Sequence, residues 1–177
     1  MLLCLSIKCP WINLILNGEK SIEIRTWKPA FKLPKIVLLH AGMKTDKEAE
    51  KEFEIVSDPK SVGCILGVAQ LVEVRSYKDS KTWARDIDLH RNHIDWWHEK
   101  NVGFVFGNIW KFNKPIKYKG QLNFFKAILP EELEEIIKTH YELAAKEIEE
   151  EEEYLEEHTE GMNLDNDGGE DVQEEIE

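Results

Sequence analysis

The chain lacks a hydrophobic run long enough to span a membrane, because no apolar stretch approaches the roughly 18 residues that a transmembrane helix requires. Its apolar first residues, 1–5, have no basic n-region and no small-residue cleavage site, so we interpret them as a strand and not as a signal peptide. Cys4, Cys9 and Cys64 are odd in number and include no C-x-x-C pair, which argues against a disulfide framework and a zinc ribbon. These absences predict an intracellular, cytoplasmic protein with no membrane partner.

Motifs that hold phosphates, metals or cofactors are also missing. The segment GCILG at 63–67 is apolar and lacks the Lys-Ser/Thr ending of a P-loop. His90, His93 and His98 cluster with two carboxylates, but they lack the spacing of H-E-x-x-H and no thiol pair accompanies them. We therefore predict no metal site and no cofactor, and we interpret these histidines as part of a solvated helix face.

Basic residues are scarce near the C-terminus. Residues 131–177 contain 21 of the 35 acidic residues and two basic ones, a net charge of −19, whereas residues 1–130 contain 21 basic and 14 acidic ones, a net charge of +7. Such asymmetry points toward nucleic acid or a charge-regulated partner. For the acidic segment three alternatives stay open: it solubilises the body, it contacts a basic protein partner, or it lies over the basic face and competes with RNA.

The body of about 130 residues has the size of one domain. Short apolar segments separated by Gly and Pro predict strands, and three helical patterns lie between them. One helix follows Pro10, one starts at a Thr45–Glu48 capping box and turns Val56 inward, and one spans 81–99. This mixture predicts an α+β fold, a small barrel of five or six strands with short peripheral helices. The predicted strands are 2–8, 21–27, 35–41, 63–74, 103–111 and 121–128.

The C-terminal part is predicted to be helical and then disordered. Pro130 suits the first turn of an acidic helix over 131–158, and residues 159–177 offer too little apolar surface to offset the entropy of ordering. We therefore divide the chain into a domain over 1–130, an acidic helix over 131–158 and a disordered acidic tail over 159–177.

The segment 18–27, GEKSIEIRTW, contains the main candidate site. In an extended strand, side chains alternate between faces, so Glu23, Arg25 and Trp27 would form one row while two isoleucines are buried behind them. Lys20 sits at the helix-to-strand turn and could reach the same space. This chemistry fits a pocket for a polar, planar, anionic ligand. The alternative is an amphipathic strand with a surface Glu–Arg pair.

Two side-chain sets suggest catalysis. Ser6, Ser21 and His40 would suit nucleophilic chemistry if they met, but sequence cannot show that they do. Lys20 and Glu23 are the better pair, because a desolvated lysine beside a carboxylate can activate or orient a water molecule. The same pair is also compatible with a simple ion pair.

Five segments follow one another in a specific order: SIKCPW at 6–11, GEKSIEIR at 18–25, LHAG at 39–42, GCILGVA at 63–69 and YKG at 118–120. Together, over residues 2 to about 128, they resemble the ASCH domain, a branch of the PUA-like superfamily. The resemblance implies a PUA-like β-barrel of five or six mostly antiparallel strands, with a cleft lined by Lys20, Glu23 and Arg25. It also implies association with RNA or, in some members, hydrolysis of modified nucleosides or RNA.

The resemblance and the basic body together predict an RNA- or nucleotide-binding domain. In related acetylcytidine amidohydrolases a threonine nucleophile occupies the position of Glu23, which puts that mechanism in doubt here. The alternatives are a hydrolase of a modified nucleoside or RNA, with Lys20 and Glu23 activating water, and an interaction scaffold that uses the acidic tail. The expected ligand-binding residues are Lys8, Trp11, Lys20, Glu23, Arg25, Trp27 and His40.

Overall fold

The computed structural model describes residues 1–159, and for residues 147, 148 and 151–159 it describes the backbone alone. The chain divides into a unit of residues Met1–Glu135 and a second unit that begins at Ile136. The site described below lies entirely in the first unit. Of the predicted disordered tail, only Thr159 is described, as the last residue of a helix; the rest lies outside the described residues.

One six-stranded sheet organises the first unit, in the order β2-β5-β4-β3-β1-β6. The β1–β3 pair is parallel and the other four pairs are antiparallel, so the predicted α+β class with mostly antiparallel strands is confirmed. The strands are β1 (Leu2–Cys9), β2 (Ile22–Arg25), β3 (Lys35–Thr45), β4 (Cys64–Ser76), β5 (Val102–Lys117) and β6 (Phe124–Ala127).

The predicted barrel is not closed. The edge strands β2 and β6 have four residues each, and they pair with β5 and β1 respectively rather than with one another. Side chains partly cover the gap. The guanidinium of Arg25 on β2 donates to the backbone oxygen of Ser6 on β1 at 2.7 Å, and the Trp27 ring contacts Phe124 of β6. The sheet is therefore open in its backbone ladder but curled enough for its two edges to touch.

Helix α1 (Trp11–Leu16) forms where Pro10 and the apolar spacing predict it. Its side chains Ile12, Leu14 and Ile15 are fully buried, each contributing about 1.5–3 kcal/mol of apolar transfer free energy. Gly18 follows with a φ of +77°, a conformation that glycine adopts without steric cost. The tight stop returns the chain directly into β2, which brings residues 20–25 beside the core.

Two helix predictions are wrong in detail. Helix α2 (Lys47–Glu52) is capped by Asp46, whose carboxylate accepts from the Ala49 amide at 3.2 Å, and not by the Thr45–Glu48 box. Asp46 is the cap because it directly precedes the helix and has the extended backbone conformation that lets its short side chain reach the Ala49 amide. Val56, expected to face inward, lies after the helix end and is 91% exposed.

The predicted helix over 81–99 consists of three short pieces, α3 (Ser80–Arg85), α4 (Ile87–His90) and a 3-10 turn (Ile94–Trp96). The break after α4 occurs at Arg91, which adopts a left-handed conformation with a φ of +57°. Because the continuous helix does not form, the histidines do not share a solvated face: His90 is fully buried, whereas His93 and His98 are exposed.

The last described helix is α5 (Glu131–Thr159), which starts where Pro130 predicts it. Within residues 1–159, no helix combines the length and apolarity needed to cross a bilayer.

Candidate functional site

Lys20 is buried in the core instead of lining an open cleft. It lies between α1 and β2 and is 1% exposed. Its ammonium is 2.6 Å from the His90 carbonyl and 5.1 Å from the centre of the Trp11 ring. The Glu23 carboxylate lies 3.5 Å away. Burial lowers the pKa of Lys20 from 10.5 to about 8, and the negative charge of Glu23 opposes that shift. Lys20 therefore stays mostly protonated at pH 7.

Glu23 links Lys20 to Arg25. One carboxylate oxygen faces Lys20, and the other lies 3.2 Å from Nη2 of Arg25. The same Nη2 donates to the Ser6 backbone oxygen. Within the described residues, Nε of Arg25 is buried without a hydrogen-bond partner, while the side chain as a whole is 24% exposed. Arg25 is thus the member of the predicted Lys-Glu-Arg set that reaches the surface.

The remaining predicted ligand residues are placed differently. Trp11 is 8% exposed and donates from Nε1 to Asp46 at 3.2 Å. Its ring therefore packs in the hydrophobic core. Lys8 is exposed on β1. The row of Glu23, Arg25 and Trp27 does not form, because β2 ends at Arg25. Trp27 instead packs edge-on against Phe104 and lines a second cavity, of about 540 Å³, with Lys28, Phe31 and Asn123.

Ser6 and His40 do meet, which sequence could not establish. They are register partners in the parallel β1–β3 pair, and Ser6 Oγ lies 3.0 Å from Nδ1 of His40. The other ring nitrogen, Nε2, lies 3.1 Å from the Tyr118 backbone oxygen. Since a carbonyl can only accept, Nε2 carries the hydrogen and Nδ1 accepts from the Ser6 hydroxyl. Ser21, the other serine considered, lies directly before β2.

His40 is 1% exposed, and burial lowers its pKa below the ordinary value of 6.5. The hydrogen bond to Tyr118 opposes this shift, and the positive charge of Lys117 adds to it. The imidazole is therefore neutral at pH 7, which agrees with the tautomer that its two contacts require.

A cavity of about 740 Å³ opens beside this pair. Gly120 closes one side of it, since a Cβ at that position would overlap the His40 ring and lie 2.9 Å from Ser6 Oγ. The wall thus combines a hydroxyl, an imidazole, two cations and apolar surface. Its lining residues are Ser6, His40, Gly42, Met43, Gly63, Lys117, Tyr118, Lys119, Gly120, Gln121 and Leu122.

The lysines at this cavity belong to a charge pattern that the sequence analysis missed. Between Glu99 and Glu131 the chain contains six lysines and no acidic residue. Two of them use neutral acceptors, because Lys111 donates to the Asn17 side chain at 3.1 Å and Lys117 to the Val62 carbonyl at 3.3 Å. These contacts leave the positive charge unneutralised. Counting charge in shorter windows would have located this segment.

No group of three His, Cys, Asp or Glu side chains is arranged to hold a metal ion in the part of the chain that the structure describes.

The fold and the cavity define a PUA-like α+β domain with an open six-stranded sheet. The chain belongs to the ASCH domain family, whose model matches residues 5–164, so the family expected from the sequence is confirmed. ASCH domains are generally thought to bind RNA.

Solved structures agree on the fold. The crystal structure of ASCH from Zymomonas mobilis is similar with a TM-score of 0.54 and 16% identity, covering 77% of this chain and 93% of that one. A tyrosine-to-phenylalanine mutant of the Zymomonas protein has the same TM-score at 14% identity and covers 77% of this chain and 96% of its own. No curated protein matches the chain.

Proposed function

We propose that the protein binds RNA or a nucleotide at the 740 Å³ cavity, with Lys117 and Lys119 holding phosphate. The observation that carries this proposal is the pair of exposed lysines in the wall of a cavity large enough for a nucleotide. Both belong to the acid-free stretch between Glu99 and Glu131, so a polyanion approaching this face meets net positive charge.

Arg25 is the second proposed phosphate contact. Its guanidinium is partly exposed and touches the backbone of Ser6, which itself lines the cavity. Lys20 and Glu23 lie behind it, and we assign them the role of positioning Arg25. The prediction that Lys20 and Glu23 activate water is less well supported, because a substrate would have to displace their buried contacts.

The second cavity suits a base. Trp27 and Phe31 offer aromatic surface there, and Asn123 offers an amide that can donate and accept. The two cavities are lined by consecutive residues, because Gln121 and Leu122 line the first and Asn123 lines the second. An oligonucleotide with phosphate at the lysines would therefore place a neighbouring base near Trp27.

The test is RNA binding by fluorescence anisotropy of the full chain at several salt concentrations. The double variant Lys117→Gln/Lys119→Gln should bind more weakly, and its salt slope should fall by about 1.4, because each phosphate contact on a single strand contributes about 0.7. Lys78→Gln/Lys81→Gln is the matched control, since it removes the same charge from two other exposed lysines. Equal losses in both double variants would contradict a defined site.

A further inference from the structure

The contact between Ser6 and His40 has the geometry of an activated nucleophile, and the proposed binding function does not use it. We propose that Ser6 is a nucleophile and His40 its general base, giving the domain an esterase activity toward acyl esters carried by a nucleotide-like anion. The nucleophile stands on the geometry of the pair alone, whereas the anionic substrate class rests on the proposed function.

The three groups of a nucleophile–base–orienter arrangement are present. Ser6 Oγ lies 3.0 Å from Nδ1 of His40, within the range for direct proton transfer, and the Tyr118 carbonyl fixes the ring from the other side at 3.1 Å. Because Nε2 holds the ring hydrogen, Nδ1 presents a lone pair to the serine hydroxyl. The lowered pKa of His40 supports this role, since a base must be unprotonated to accept.

Substrate has room beside the nucleophile. Ser6 is partly exposed, and both Ser6 and His40 line the 740 Å³ cavity. Met43 and Leu122 are 74% and 91% exposed and give the wall an apolar part that suits an acyl chain. Lys117 and Lys119 suit the anionic part. Gly120 keeps the nucleophile uncovered, because a side chain there would occupy the space over Ser6 Oγ.

The reaction balances without any further reactant than water. Ser6 Oγ bonds to the acyl carbon while its proton passes to Nδ1 of His40, and the leaving alcohol then departs with that proton. Water attacks the acyl carbon and gives a proton to Nδ1, and Ser6 recovers it as the Oγ–carbon bond breaks. One ester and one water are consumed, and one carboxylic acid and one alcohol are released.

The first test is labelling of the full chain with a fluorophosphonate probe, followed by intact-mass measurement and peptide mapping. We expect one adduct per chain, on Ser6, with loss of fluoride and of the serine proton. Ser6→Ala should abolish the adduct, and Ser76→Ala, which alters an exposed serine on β4, should leave it unchanged. No adduct, or an adduct on another residue, would overturn the proposal.

His40 is tested in two ways, because a variant of a buried residue can fail to fold. His40→Gln should slow labelling by about 100-fold or more, the scale of general-base catalysis. In the wild-type protein, the labelling rate should be constant above pH 6.5 and fall on acidification, since protonated His40 cannot accept. The charged group that faces His40 is Lys117, whose positive charge lowers the His40 pKa further. A labelling rate that does not depend on pH would count against His40 as the base.

Hydrolysis of matched esters tests the substrate class. An acetyl ester on the ribose of adenosine monophosphate should be turned over with a higher kcat/KM than the same ester of adenosine, and Lys117→Gln/Lys119→Gln should remove that preference. Ser6→Ala should abolish turnover of both esters. If the adduct forms but the two esters react equally, the nucleophile stands and the nucleotide class fails. If RNA binding fails while Ser6 is labelled, the proposed function alone fails.

Discussion

Lys20 is a cation that is almost fully buried, and polar and aromatic neighbours replace its hydration shell. A carbonyl at 2.6 Å, a carboxylate at 3.5 Å and an indole ring at 5.1 Å surround its ammonium. Glu23 is shared with Arg25, so removal of the lysine would leave a buried carboxylate with one cation. The His90 carbonyl would lose its ammonium donor and keep the Asn92 side-chain amide. We therefore read the charge at residue 20 as a structural requirement that holds β2 in place.

Lys20→Met tests that requirement, since methionine keeps the apolar stem and removes the charge. We expect a loss of about 3 kcal/mol in the free energy of unfolding, the scale for breaking one side of a buried ion pair. Lys47→Met is the control, because Lys47 forms an ion pair with Glu50 while 78% exposed and should cost less than about 0.5 kcal/mol. Urea unfolding of both variants measures the difference, and equal losses would refute the buried role.

Lys20 also predicts a pH dependence. Its pKa is about 8 in the folded chain against 10.5 ordinarily, so between these values the unfolded chain binds more protons at this residue. Stability rises with pH wherever the unfolded state binds more protons. The free energy of unfolding of the wild type minus that of Lys20→Met should therefore increase from pH 8 to pH 10. Urea titrations at several pH values measure this, and a constant difference would argue against the lowered pKa.

A substitution at Gly120 tests how tightly the Ser6–His40 pair is packed. Gly120→Ala would place a methyl group against the His40 ring and 2.9 Å from Ser6 Oγ, so we expect a loss of about 1–3 kcal/mol from overpacking. Gly42→Ala is matched, because it also lines the cavity but its Cβ would lie 3.5 Å from the Ile7 oxygen, an ordinary contact. Thermal unfolding of the two variants compares them. A neutral Gly120→Ala would show that the turn moves away freely.

Elements whose signals are local were predictable from the sequence. Pro10 and Gly18 bracket α1 by backbone chemistry alone, and the strands β1, β3 and β4 follow their apolar runs. The break in the predicted helix over 81–99 was not predictable. The apolar spacing of this segment is helical, and the break depends on the left-handed conformation of Arg91. Nothing in the local pattern distinguishes an arginine that adopts this conformation from one that continues a helix.

The same division applies to the candidate site. The contacts among Lys20, Glu23 and Arg25 lie within six residues, so their spacing predicted them. The Ser6–His40 contact depends instead on the parallel register of β1 and β3, across 34 residues of chain. Gly120 approaches the pair from the segment that follows β5, a further non-local contact. A single sequence carries no direct record of such pairings.

The helix α2 offers a prediction at the scale of one element. Asp46 caps it and also accepts from the Trp11 indole, so Asp46→Ala removes two hydrogen bonds, whereas Asp79→Ala removes the cap of α3. We expect Asp79→Ala to cost about 1 kcal/mol and Asp46→Ala about 2. Asp46→Asn should restore only the cap, about 1 kcal/mol relative to Asp46→Ala, since its single amide oxygen can accept from Ala49 while its amide nitrogen cannot accept from the Trp11 indole. Urea unfolding decides, and equal costs would mean that the Trp11 contact contributes nothing.

At the scale of the whole first unit, the open sheet relies on side chains to hold its edges together. Arg25 reaches from β2 to the backbone of β1, and Trp27, Phe31 and Phe124 form a chain of edge-on aromatic contacts at the other end of the gap. One cavity is lined by Ser6, whose backbone oxygen accepts from Arg25, and the other is lined by Trp27 and Phe124. The side chains that hold the edges together therefore also contact or line the two cavities.

The charge division of the whole chain gives the last prediction. Residues 161–177 contain seven acidic and no basic residues, and they are tethered to a body with a charge of +7 over residues 1–130. If this segment competes with RNA for the lysines at the cavity, a 1–160 chain should bind RNA more tightly than the full chain at low salt. The advantage should shrink as salt rises, because exposed charges are screened within about 10 Å at 0.1 M. A full-length variant whose acidic residues beyond 160 are changed to Asn and Gln separates charge from chain length and should match the 1–160 chain in anisotropy measurements. Equal RNA affinity of all three proteins would instead assign the segment to solubility.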